Sequence, residues 1–122
     1  MGTVRTHYVM LGAKLPFDII DREEDYEKFD AYEDNGYRPE IKEHNGLTMV
    51  TDGMNGEYVF IGKVLKKALD HEGLEVTDCL AFSQREMNVL ENLIRSEFWE
   101  EFGEEFKDRD IGLSVWAFTH WH

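Results

Sequence analysis

Leu47-Thr48-Met49-Val50-Thr51, Asp52-Gly53-Met54-Asn55-Gly56 and Tyr58-Val59-Phe60-Ile61 follow one another with only Glu57 intervening, and the fold turns on how they are read. Two runs rich in β-branched and aromatic residues flank a turn with two glycines available for positive φ, which is the signature of a β-hairpin. Upstream, Val4 to Leu11 has the same composition and reads as a first strand stopping at Gly12. Pro16 then breaks the chain. Asp21 with Glu24 three residues on is a variant capping box, and Tyr26, Phe29 and Tyr32 give the helix that follows a thin apolar stripe. So thin a stripe predicts a helix lying on the surface, stopped by Asn35-Gly36.

Downstream of Gly62 the period changes towards 3.6. Val64, Leu65, Ala68 and Leu69 predict a short helix ended by Gly73, and Leu74 to Leu80 reads as an edge strand or an ordered loop. Ser83-Gln84-Arg85-Glu86 is a capping box opening a long helix with Met87, Leu90, Leu93, Ile94, Phe98 and Phe102 on its core face. Ile111 to Thr119 is apolar on both faces, so it is expected to be central in the sheet. The expected order is β-α-β-β-α-(β)-α-β. That predicts a single α+β domain over 1–122, with a mostly antiparallel sheet of four to five strands and two or three helices. A ferredoxin-like split arrangement is one candidate topology.

The chain has 122 residues, with 26 acids against 13 basic side chains and a net charge of -13. Three Trp, five Tyr and eight Phe exclude a disordered acidic tail. The acidity argues against direct binding to nucleic acid or to an anionic membrane, since both demand clustered Lys and Arg. Met1 to His7 lacks a signal-peptide apolar run, no stretch approaches the ~20 apolar residues of a membrane span, and Cys79 stands alone. A cytoplasmic location is expected.

Twelve of the thirteen net negative charges lie in two segments, 18–34 and 97–110. If the long helix continues past Gly103, then Glu97, Glu101, Glu104 and Asp108 form one row, spaced about 4–6 Å apart along the axis. Such a row imitates a run of phosphates and steers basic proteins towards it; the plainer reading is a solvated helix face. Trp99 stands beside the row as an aromatic anchor. The expected partner-binding residues are Asp21, Glu24, Asp25, Glu97, Trp99, Glu100, Glu101, Glu104 and Asp108.

Support for catalysis is weak. His120 and His122 form an H-x-H pair that His7 or Cys79 would have to complete, and nothing sets the spacing of a tetrahedral site. No metal and no cofactor is expected. Acid pairs such as Glu97/Glu100 lack the concave, partly dry setting that separates catalytic pKa values. Neither glycine-rich phosphate loops nor a nucleophile elbow occurs in the sequence.

His7-Tyr8-Val9-Met10-Leu11-Gly12-Ala13-Lys14-Leu15-Pro16 and Asp52-Gly53-Met54-Asn55-Gly56-Glu57-Tyr58-Val59-Phe60-Ile61-Gly62-Lys63-Val64 resemble stretches of small uncharacterised proteins of tailed bacteriophages. The resemblance implies a context: small acidic phage proteins often block a host nucleic-acid-handling or defence protein. The leading expectation is therefore a non-catalytic, phage-encoded acidic interaction protein in the host cytoplasm that binds and blocks a basic site on such a host protein, with nucleic-acid mimicry as one way of doing so. A small ligand-binding or enzymatic domain with a site near Asp52–Gly56, using His7 or His120, is the second. A structural subunit that self-associates, as a homodimer, through a sheet edge is the third.

Overall fold

A computed structural model describes residues 5–16, 26–34, 36, 39–52, 58–69, 82–98 and 111–121. Along these the elements run β1 (Arg5–Leu15), α1 (Tyr26–Tyr32), β2 (Thr48–Thr51), β3 (Val59–Leu69), α2 (Gln84–Phe98) and β4 (Ser114–Trp121). The four strands form one antiparallel sheet in the order β2-β3-β1-β4. Strands β1 and β2 flank β3, while β3 and β4 flank β1. Each βαβ unit is thus split by an inserted strand, which is the ferredoxin-like arrangement within the α+β class.

The hairpin forms as its composition predicts. Thr48 to Thr51 pair with Gly62 to Val59, and the Asp52 amide donates to the Tyr58 carbonyl at the mouth of the turn. Gly36 takes φ 83°, the left-handed conformation expected after α1.

Three expectations are corrected. Strand β1 does not stop at Gly12 but continues to Leu15, because Gly12 sits opposite Gly62 in the β1–β3 ladder. The helix expected over Val64–Leu69 is the second half of β3. A β-bulge causes the misreading: Met10 pairs with Val64 and Val9 with Lys66, so Leu65 is an extra residue. One residue inserted into a period of 2 gives apolar spacings that imitate 3.6. Finally, β4 is an edge strand, and its Val115 is 39% exposed.

Apolar side chains fill both faces of the sheet. One face carries Leu11, Ala13, Leu15, Met49, Val59 and Ile61, covered by Phe29 and Tyr32 of α1 and by Leu90, Ile94 and Phe98 of α2. Helix α1 is therefore anchored in the core by its thin stripe while Glu27 and Asp30 face solvent. The opposite face is aromatic: Tyr8, Phe60 and Phe118 stack in series, with the Phe118 ring centroid 5.4 Å from Tyr8 and 3.9 Å from Phe60. Trp116 packs edge-on to Phe60 and donates from Nε1 to the Gly12 carbonyl.

Helix α2 starts where the capping box places it, with the Ser83 hydroxyl accepting from the Glu86 amide at 3.1 Å. Ser83→Ala should cost about 1 kcal/mol, read as a lower urea midpoint at unchanged slope.

Candidate interaction surface

The described parts of the two acidic segments, 26–34 and 97–98, meet at the C-terminal ends of the two helices. Phe98 of α2 packs against Phe29 and Tyr32 of α1, with ring centroids 6.1 Å and 4.8 Å apart. The Tyr32 hydroxyl donates to Glu97 Oε2 at 2.5 Å, and Asn45 Nδ2 donates to the same oxygen at 3.3 Å. These donors, Tyr32 first, hold the Glu97 carboxyl below its usual pKa, so it is charged at neutral pH.

A carboxylate whose pKa is lower in the folded state stabilises the fold above its unfolded pKa and loses that contribution as pH falls through the folded value. Glu97→Gln should therefore be less stable than the parent at pH 7, with the difference closing below about pH 4. Urea melts between pH 3 and pH 7 read this directly. A gap that persists unchanged into acid would mean the charge of Glu97 is not what holds the junction.

The remaining described acids of the first segment divide sharply. Glu27 and Asp30 are exposed. Glu33 is half-buried and accepts from the Thr51 hydroxyl at 2.5 Å. Asp34 is withdrawn from the surface altogether: it is buried and paired with Lys67 Nζ at 2.8 Å. Two cations border the junction, Lys28 lying 5.4 Å from the Phe98 ring centroid and Lys42 donating to the Asp30 carbonyl.

Of the expected partner-binding residues, Glu97 alone lies within the described residues, and its carboxylate braces the two helices together. Asp21, Glu24, Asp25, Trp99, Glu100, Glu101, Glu104 and Asp108 lie outside them, as do Cys79, His122 and the turn 53–57.

The histidines offered for a metal or ligand site are not brought together. His7 pairs with Thr119 and His120 with Thr6, so on adjacent strands the two rings point to opposite faces. His7 Nδ1 bonds with the Thr119 hydroxyl, and the buried His120 bonds through Nδ1 with the Tyr58 hydroxyl. Among the described residues no three His, Cys, Asp or Glu side chains converge on one point. No helix among them is long and apolar enough to cross a membrane.

On the aromatic face lies a polar cluster that the sequence did not signal. The Lys67 side chain is 1% exposed and donates to both Asp34 oxygens and to the Glu40 carbonyl, while the Gly36 amide also donates to Asp34. The Tyr8 hydroxyl is buried there with no hydrogen-bond partner among the described residues. Burial, and next the nearby Asp34 carboxylate, push its pKa well above the usual tyrosine value.

The chain matches no protein-family model, no curated protein and no solved structure.

Proposed function

We propose that this chain is a non-catalytic acidic interaction protein that occupies a basic site on a protein partner. One observation carries the reading: the segments holding twelve of the thirteen net negative charges are joined by the Tyr32–Glu97 bond and the Phe29–Phe98 packing. On this reading the acids of the two remote stretches act as one surface, and a concentrated field of one sign steers a basic partner to it. The partner class this chemistry suits is a host nucleic-acid-handling or defence protein, whose groove is built for phosphates. The phage resemblance agrees with that class.

The test is capture from a bacterial lysate at low and high salt, comparing the parent chain with a variant carrying Glu101→Gln, Glu104→Gln and Asp108→Asn. The expected result is a basic protein that displaces from bound DNA when the parent is added, elutes as salt rises, and is not retained by the variant. Equal retention by the two chains would remove the acidic surface from the interaction.

A further inference from the structure

A cavity of about 380 Å³ opens between the first half of α2 and the helix-covered face of the sheet, with Gly46 also on its rim. Its walls are Leu11 of β1, Phe82, and Val89, Leu90 and Leu93 of α2, and its polar lining is Lys63, Arg85 and Glu86. The volume falls within the range of small-molecule sites, and an apolar body with a few placed polar groups is their usual make-up.

Lys63 is the residue that sets this cavity apart. On β3 the inward row runs Val59, Ile61, Lys63, and Lys63 is paired with Leu11, which is itself buried. A strand face covered by helices normally continues its apolar row. Here a cation projects from the middle of the sheet into the gap below α2. Among the described residues neither Lys63 nor Arg85 has a carboxylate partner, although the chain carries twice as many acids as bases. Such cations beside apolar walls in so acidic a protein call for an anion from outside.

The lining also limits which anion. Two cations and Glu86 leave one net positive charge, which complements a monoanion and disfavours a polyphosphate. The apolar side chains require a hydrocarbon body. We propose that the cavity binds an amphipathic monocarboxylate, its chain against Leu11, Phe82, Leu90 and Leu93 and its carboxylate held by Lys63 and Arg85.

Decanoate and decanol, titrated calorimetrically into the full chain, share a hydrocarbon chain and differ in charge. Decanoate should bind at least tenfold tighter than decanol. A Lys63→Gln/Arg85→Gln variant should bring decanoate down to the decanol affinity and leave decanol binding unchanged. Both changes fall at exposed positions, and a matching urea midpoint establishes that the variant is folded. Absence of binding by both probes, equal affinities, or a variant that binds decanoate as the parent does would each overturn the assignment. None of these outcomes bears on the acidic surface, whose test uses other residues and a different partner.

Discussion

Replacing Lys67 by alanine is expected to destabilise the fold by about 3–5 kcal/mol, the usual cost of removing one partner from a buried ion pair. The Lys67 side chain is 1% exposed and Asp34 5%, so water cannot solvate the carboxylate left behind. The ammonium also holds the 34–40 segment against β3 through Asp34 and the Glu40 carbonyl, so its loss unties that segment as well. Native stability of a small domain is ~5–15 kcal/mol, so Lys67→Ala removes a large part of it. Urea denaturation followed by circular dichroism reads the change.

The double variant Lys67→Met/Asp34→Leu separates the pair from the packing. Replacing both charges with apolar groups of similar volume is often neutral, leaving the Gly36 amide without its acceptor, a loss of about 1 kcal/mol, and the carbonyl of the exposed Glu40 to water. If the double variant were as unstable as Lys67→Ala, the unpaired carboxylate would not be the cause.

Gly62→Ala is expected to cost at least ~3 kcal/mol, the upper end of ordinary overpacking. A Cβ at Gly62 would lie 2.2 Å from the Leu11 carbonyl oxygen and 2.6 Å from the Gly12 Cα. At Gly12 it would lie 2.3 Å from the Ile61 carbonyl oxygen. Both obstacles are backbone, so relief requires separating β1 from β3, the two central strands. Gly112→Ala is the control. Gly112 has φ 71°, and an added methyl there meets no described atom within 4 Å, so only left-handed strain of about 1–2 kcal/mol applies. Thermal melts of both variants should differ clearly; equal losses would leave the close approach of the strands without energetic weight.

The features legible in the sequence are those written within a few residues. The hairpin at 47–61 and the capping box at Ser83 each rest on a local pattern, and both form. What escaped depends on residues remote in sequence. Gly12 and Gly62 look like stops when read singly, because only their juxtaposition shows that each makes room for the other strand. The bulge at Leu65 shifts the alternation of β3 halfway along, which hid the second half of the strand.

Strand β4 is apolar on both faces without being central, because the aromatic face of the sheet has a core of its own. The charge segregation along the chain was plain in composition. The Tyr32–Glu97 bond was not, since no local rule brings residue 32 to residue 97. The Asp34–Lys67 pair was equally silent: Asp34 counts towards the acidic segment in the sequence, yet it is buried against a lysine of β3.

The two rims of the sheet are treated differently. The outer side of β2 is met by Glu33 in a parallel bridge to Met49, and by the Asp34 amide donating to the Met49 carbonyl. The outer side of β4 has no strand partner among the described residues, and Ser114 to Trp121 contains no Lys, Arg, Asp, Glu or Pro to discourage one. Colloidal repulsion then takes over the task that such residues perform in other proteins. At neutral pH a net charge of -13 opposes the approach of copies rim to rim. Towards the isoelectric point near 4.7 that repulsion fades, so light scattering should show association rising as the pH falls to it. The repulsion that opposes such contacts comes from acids that lie elsewhere on the chain.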